Sequence, residues 1–247
     1  MRTGNPALNA KTFEGFDLTA PSASTTMTLS GTATKTGMLL VIVVAAAAFT
    51  WNLFLQGNPI VMPLMIGGGI GGFIVALVTT FKPQWAAITS PIYAVMQGLL
   101  LGGISAVTEA KFNGIVVQAV FLTFGTLFAL LFAYQSGLIK PTENFKLGIV
   151  AATGGIFFVY LATMIAGFFG ISVPFIHGNG WMGIGFSLFV VVIAALNLVL
   201  DFDFIEEGVN RGAPKYMEWY GAFGLLVTLV WLYIEILRLL TKINSRD

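Results

Sequence analysis

Long stretches without any charged residue constrain the fold of this chain more than any other feature. Residues 83–108 and 114–139 are uncharged runs of twenty-six residues each, and residues 147–200 form a third run of fifty-four. A helix needs about 20 apolar residues to cross the hydrocarbon core of a bilayer, so the third run is long enough for two spans. The runs are continuously apolar and do not alternate, which argues against a membrane β-barrel. The sequence therefore predicts an all-α, polytopic membrane protein.

The composition agrees with this prediction and excludes several other classes. Of 247 residues, 57% are hydrophobic and 9% are charged, whereas soluble domains carry roughly 25% charged residues. The chain has no cysteine, which excludes disulfides and thiolate metal sites. A formal net charge of +1 gives no basic surface for nucleic acid. We expect the lipid bilayer, and no nucleic acid, as the partner, and we expect no cofactor.

Turn-forming residues divide the apolar sequence into seven spans. Gln56–Pro59, Lys82-Pro83 and Lys140-Pro141 mark three of the breaks. The predicted spans are residues 38–56, 59–81, 90–108, 114–139, 147–170, 181–203 and 218–240, within a transmembrane domain of residues 38–240. Residues 1–37 are polar and lack the basic head and apolar run of a signal peptide, so they are predicted to form a flexible segment. Residues 241–247 are predicted to form a short tail.

The distribution of lysine and arginine sets the predicted orientation, because these residues are enriched in cytoplasmic loops. With seven spans, the side that holds the N-terminus carries eight basic residues and the other side carries four. The eight are Arg2, Lys11, Lys35, Lys82, Lys140, Lys146, Arg211 and Lys215, and the four are Lys111, Arg238, Lys242 and Arg246. If the last segment re-entered the membrane and returned, the split would be eleven to one. We expect a multi-pass protein of the cell (plasma or inner) membrane with a cytoplasmic N-terminus.

Glycines four residues apart recur inside the spans. Gly67 and Gly71, Gly68 and Gly72, and Gly98 and Gly102 have this spacing, which lets two membrane helices approach closely. The run around Gly68 has neither the Lys-Ser/Thr of a phosphate-binding loop nor a flanking strand. These glycines are therefore interpreted as helix-packing residues.

Acidic residues concentrate at the end of the sixth span, in the segment Asn197–Gly208. Residues four apart share a helix face, so Asn197 and Asp201 are predicted to point together into the bundle. Asp203, Glu206 and Glu207 fall on the other side and are predicted to face the aqueous boundary, as a secondary acidic cluster. Arg211, Lys215 and Arg238 are candidate salt-bridge partners. A plain solvated loop that caps the bilayer is the alternative interpretation.

The last span carries a stripe of small, hydroxyl and acidic residues. Gly221, Thr228 and Glu235 recur every seven residues, which places them on one side of the helix and favours a central position in the bundle. Glu235 and Arg238 are three apart and are predicted to pair. The alternative is an interfacial salt bridge that anchors the end of the helix.

Motifs of catalysis and metal binding are missing from the sequence. His177 is the only histidine and is interpreted as a loop residue, because metal sites recruit several ligands. Neither a Gly-x-Ser-x-Gly nucleophile motif nor an HExxH zinc motif occurs. We expect no catalytic residue, no metal site and no enzymatic activity.

The segments Asn197–Gly208 and Glu218–Leu240 resemble the Bax inhibitor family, also called the transmembrane Bax-inhibitor-motif family, and its bacterial members in particular. Asn5–Leu8 and Thr36–Leu55 resemble a bacterial subgroup. The resemblance implies seven spans with the last helix central, and a pH-sensitive leak of calcium ions. It further implies that two aspartates on the last two helices share protons and latch the closed pore.

Asp201 matches the first of these aspartates, but the second falls on Thr228, which cannot ionise. Three possibilities remain open: Glu235 substitutes for the second acid, Asp201 works with Asn197 and Thr228 as a single-acid site, or the gating is lost. The leading hypothesis is a proton-modulated conduction of calcium or other cations, with Asp201 as the titrating group and Thr228 and Glu235 lining the path. The alternative is a non-transporting regulator of membrane proteases or stress responses, which binds a membrane-protein partner through residues 1–37.

Overall fold

A computed structural model of the chain describes residues 25–170, 178 and 180–245, and its architecture there is helical. Seven of the helices in these residues are long and apolar enough to cross a membrane, which confirms the prediction of an all-α protein with seven spans. The seven helices are α1 Leu29–Leu55, α2 Val61–Phe81, α3 Ala86–Lys111, α4 Ile115–Gln135, α5 Glu143–Phe168, α6 Trp181–Asn210 and α7 Met217–Asn244. A short 3-10 helix, Pro83–Trp85, precedes α3.

Local sequence explains where several of these helices begin and end. The Thr28 side chain accepts a hydrogen bond from the Gly31 amide and so caps the start of α1. Thr142 caps α5 in the same way, through the Phe145 amide. Gly57 and Gly137 follow the ends of α1 and α4 with φ values of 66° and 71°. This left-handed conformation closes a helix and is easy only for glycine.

The first helix begins earlier than predicted. α1 starts at Leu29, so residues 29–37 are helical, and assigning all of residues 1–37 to a flexible segment was wrong for this part. The polar side chains there are used inside the protein: Thr32 and Thr36 are buried, and each hydroxyl donates to the carbonyl four residues before it. The flexibility predicted for residues 1–24 lies outside the described residues.

The other end of the chain also departs from its predicted boundary. α7 continues to Asn244, so most of the predicted tail of residues 241–247 is the last turn of a helix. Lys242 lies in this turn with only 5% of its surface exposed. Its long aliphatic stem fits a protein interior while the ammonium group reaches polar partners.

The helices pack as two compact units. The first contains α1, α2, α3 and residues Asp201–Val227, and the second contains α4, α5, residues up to Leu200 of α6 and residues from Thr228 of α7. Large apolar side chains such as Phe73 of α2 and Phe121 of α4 are 63% and 75% exposed. In helices of this length and composition, such side chains face lipid, so the environment of the chain is a bilayer.

Glycine packing shapes the first unit. An added Cβ would lie 2.5 Å from the Val43 carbonyl oxygen at Gly98 and 2.3 Å from the Ala47 carbonyl oxygen at Gly102, so α3 touches the backbone of α1 at both positions. Gly68 of α2 approaches the backbone of α3 in the same way. The predicted packing role is confirmed for these glycines. At Gly67 an added Cβ would meet no heavy atom of the described chain within 4 Å.

The last helix is the most enclosed by protein. Of its most apolar window, 67% is buried, compared with 56% for α6 and 50% for α3. The corresponding share for α1, α2, α4 and α5 lies between 11% and 22%. This burial agrees with the prediction that the last helix takes the central position.

We expect Gly102→Ala to destabilise the protein by about 1–3 kcal/mol, because the new methyl group collides with backbone atoms that cannot move aside. Thermal unfolding of the purified protein in detergent measures the effect. Gly125→Ala is the matched control, since an added Cβ at Gly125 in α4 meets nothing within 4 Å among the described residues. This control should change stability by less than about 1 kcal/mol. Equal melting temperatures for Gly102→Ala and the wild type would contradict the packing argument.

Candidate functional site

The acids at the end of α6 divide by burial along the predicted lines. Asp201 is 0% exposed, and Asn197, one turn earlier on the same helix, is 1% exposed. Glu206 is exposed, and Asp203 and Glu207 are half-buried. Asp201 therefore points into protein, while the residues of the secondary acidic cluster are partly or fully exposed.

Asp201 lies well inside a continuous membrane-spanning helix. At a rise of 1.5 Å per residue, it is about 30 Å from the start of α6 and about 14 Å from its end. Its neighbours in sequence, Leu200 and Phe202, are 1% and 7% exposed. A charged carboxylate at such a place costs several kcal/mol unless it is paired or hydrated. The protonation state of Asp201 is therefore coupled to the polarity of its surroundings.

Asn197 and Thr153 form a polar pair between α6 and α5 in the second unit. The Asn197 Nδ2 group donates to Thr153 Oγ1 at 2.9 Å and to the Ile193 carbonyl oxygen at 2.8 Å. Asn197 Oδ1 is buried and has no hydrogen-bond partner among the described residues. Leaving a buried acceptor without a partner costs about 1–3 kcal/mol. Thr153 was not singled out by the sequence, because a lone threonine in a span has no distinguishing pattern.

Glu235 is held by Arg238 and Tyr160, also in the second unit. Arg238 Nη1 lies 3.0 and 3.1 Å from the two carboxylate oxygens, which shows that the predicted pair is formed. The Tyr160 hydroxyl of α5 lies 3.1 and 3.0 Å from the same oxygens and accepts a hydrogen bond from Arg238 at 2.6 Å. The guanidinium also sits 5.1 Å from the centre of the Tyr160 ring. Glu235 is 1% exposed, and the charge of this buried carboxylate is balanced by Arg238 on the same helix.

Lys242 follows Glu235 by two turns on α7 and is likewise anchored. Its ammonium donates to Ser187 Oγ at 2.8 Å and to the Gly183 carbonyl oxygen at 3.0 Å, both in the first turns of α6. The end of α7 is thereby fastened to the start of α6 within the second unit. Thr228, the remaining member of the predicted path, is 2% exposed and belongs to the same unit.

A third buried acid, Glu218, was missed as a candidate by the sequence analysis. It lies at the start of α7 in the first unit, is 0% exposed, and accepts hydrogen bonds from the Thr28 amide at 3.0 Å and the Thr28 hydroxyl at 2.8 Å. Lys215 Nζ lies 2.9 Å from it, and Lys35 of α1 pairs with its other oxygen. The three-residue spacing of Lys215 and Glu218 at a helix start was the available signal.

The three candidate basic residues thus pair with three different acids. Arg211 pairs with Glu207 of the acidic cluster, Lys215 pairs with Glu218, and Arg238 pairs with Glu235. Asp201 belongs to the first unit, whereas Asn197, Thr228 and Glu235 belong to the second.

The described residues contain no group of three or more histidines, cysteines, aspartates or glutamates placed to hold a metal ion. His177 lies outside the described residues. The described residues therefore offer buried carboxyl groups, which can be neutralised by protonation or by a basic side chain that pairs with them.

We expect Arg238→Gln to destabilise the protein by about 1–3 kcal/mol, because it leaves a buried carboxylate without its counter-ion. The loss is below that of a fully buried pair, since the Arg238 side chain is 38% exposed. The double variant Glu235→Gln/Arg238→Gln removes both charges and should recover part of this loss. Thermal unfolding at neutral pH compares the three proteins. A double variant less stable than Arg238→Gln would show that the ion pair is not the reason.

Comparison with known proteins gives one match, which spans nearly the whole chain. A family model described as Bax inhibitor 1 like matches residues 5–245. No curated protein and no solved structure gives a significant match. The match includes all seven described spans, both buried acids of α7 and the acidic end of α6. The chain therefore belongs to the Bax inhibitor 1 like family.

Proposed function

We propose that this chain is a passive leak for cations, calcium in particular, that opens when a buried carboxyl group loses its proton. Its place in the Bax inhibitor 1 like family and its seven membrane-spanning helices support this function. We further propose that the protein acts without catalysis and without a cofactor. The count of lysines and arginines favours a cell membrane protein whose N-terminus is cytoplasmic.

One observation carries the proposal: the Asp201 side chain is completely buried within a membrane-spanning helix. A neutral, protonated carboxyl group is tolerated in such surroundings, and the helices around it can remain closely packed. Loss of the proton leaves a charge in completely buried surroundings, which favour the neutral form. The closed packing is then disfavoured, and an opening that admits water and a divalent cation becomes the better solution.

Two further features fit a path for cations. Asn197 and Thr228 are buried polar residues without charge on the last two spans, and they offer oxygen atoms of the kind that calcium prefers. Glu235 supplies a second carboxylate, and Arg238 neutralises it while the path is closed. In this proposal Asp201 is the titrating group, and Asn197, Thr228 and Glu235 line the path.

Calcium flux into liposomes containing the purified protein tests the proposal. For the wild type, flux should be low at acidic pH and higher at neutral pH, because deprotonation of Asp201 opens the path. Asp201→Asn, which is always neutral, should lower the flux at neutral pH by roughly tenfold, equivalent to about 1.4 kcal/mol in the gating equilibrium.

Glu206→Gln is the matched control, because it removes a carboxylate from the same helix at an exposed position. It should retain the flux of the wild type and its pH dependence. Equal flux from the wild type and Asp201→Asn at both acidic and neutral pH would remove Asp201 from the mechanism.

A second candidate function, regulation through a protein partner, is favoured by the place where the N-terminal segment meets the membrane domain. The Met27 amide donates to the Ala213 carbonyl oxygen at 2.7 Å, and the Lys215 amide donates to the Thr25 carbonyl oxygen at 2.9 Å. Residues 25–27 are therefore fastened to the connection between α6 and α7. A partner that bound the preceding residues would act directly on that connection, at the end of the helix that carries Asp201.

Deletion of residues 2–24 separates the two candidate functions. If the chain is a regulator, the deletion should abolish co-purification of a membrane-protein partner and leave the response of cells to calcium unchanged. If it is a cation leak, the truncated protein should retain pH-dependent flux in liposomes, because Asp201 and the contacts of residues 25–27 remain. Loss of both properties in a correctly folded truncated protein would contradict this separation.

A further inference from the structure

The amide group of Asn197 has a fixed orientation, and this leaves one buried oxygen to be explained. The Nδ2 group donates to the Ile193 carbonyl oxygen and to Thr153 Oγ1. Rotating the amide by 180° would bring Oδ1 against the Ile193 carbonyl, and two acceptors repel each other. Oδ1 is therefore directed away from both partners, and none of the described residues donates to it.

Both members of this pair lie far from the ends of their helices. Asn197 is about 24 Å from the start of α6 and about 20 Å from its end, and Thr153 is about 15 Å and about 22 Å from the ends of α5. Apolar residues of the second unit, Ile156, Val190 and Ile193, form a buried cluster on the same two helices. At such depth lipid supplies no hydrogen-bond donor, and among the described residues none donates to Oδ1, which leaves room for water or an ion as its partner.

We propose that Asn197 Oδ1 and Thr153 Oγ1 form a binding site for a partly hydrated cation, midway along the path of the leak. An amide oxygen and a hydroxyl oxygen replace part of the water shell of a cation such as calcium. Thr153 Oγ1 accepts one hydrogen bond from Asn197 and has a second lone pair left for the ion. Both ligands are neutral, so the site holds the ion weakly and releases it. The inference rests on the proposed cation leak and adds Thr153 to its path.

The absence of cysteine from the natural sequence makes a direct test of this site possible. Single variants Asn197→Cys and Thr153→Cys are prepared in liposomes at neutral pH and exposed to a charged, water-soluble thiol reagent. Val190→Cys is the matched control, because Val190 is 0% exposed and lies two turns before Asn197 on the same face of α6. Mass spectrometry measures the rate of modification, with and without calcium.

We expect Asn197→Cys and Thr153→Cys to react at least about tenfold faster than Val190→Cys, because a thiol that water cannot reach stays protonated and inert. Calcium should slow both reactions in part, because each variant keeps one of the two ligand oxygens, and leave the control unchanged. Rates as slow as that of Val190→Cys would overturn the site. Fast reactions that calcium does not slow would overturn it as well, since they would indicate water without a bound cation.

A flux measurement keeps this test separate from that of the proposed function. Thr153→Val keeps the shape of the side chain and removes Oγ1, so the flux of calcium should fall several-fold, while its dependence on pH through Asp201 is retained. Thr163→Val, on the same helix, is the control. If flux depends on Asp201 but is unchanged in Thr153→Val, the site fails and the leak stands. If calcium protects both cysteines and the wild type shows no flux, the leak fails and the binding site stands.

Discussion

The hydrocarbon core of a bilayer offers no hydrogen-bond partners, and most of the structure follows from this constraint. Seven helices satisfy their backbone groups internally, and buried threonines turn their hydroxyls back to their own helix. Thr36, Thr79 and Thr123, for example, each donate to the carbonyl four residues before them. Two buried acids also have partners: Glu218 pairs with two lysines, and Glu235 pairs with Arg238 and with a tyrosine hydroxyl. Each of these polar groups therefore has a hydrogen-bond or ionic partner within the protein.

Against this background, Asn197 in the middle of α6 is different. Asn197 keeps a buried oxygen to which no described residue donates, and Asp201 puts a completely buried carboxyl group one turn further along. Apolar residues at these positions would make the membrane helix more stable. The proposed function gives both residues a role, Asn197 in binding a cation and Asp201 in binding a proton.

The number of helices, the glycine contacts and the Glu235–Arg238 pair could be predicted because each depends on residues close together in sequence. Uncharged runs set the span count, and a spacing of three or four residues places side chains on one face of a helix. Contacts between distant residues could not be predicted. Lys35 and Glu218 are 183 residues apart, and Tyr160 and Glu235 are 75 apart. Periodicity shows which residues share a face, but it does not show which faces meet. The early start of α1 was missed for the same reason, because Lys35 in its first turns pairs with Glu218, which lies near the other end of the chain.

Thr228 stands where the resemblance to the family places a second aspartate, and this difference bears on the gating mechanism that we propose. Two carboxyl groups can share a proton, so that each one tunes the other. A threonine hydroxyl cannot take that part, and Asp201 must then be controlled by how easily water and cations reach it. Under the proposed function, the neutral oxygens of Asn197 and Thr153 contribute by stabilising a hydrated cation in the second unit. In the proposed mechanism, gating with a threonine at this position thus depends on the hydration of one acid, and not on a proton shared between two.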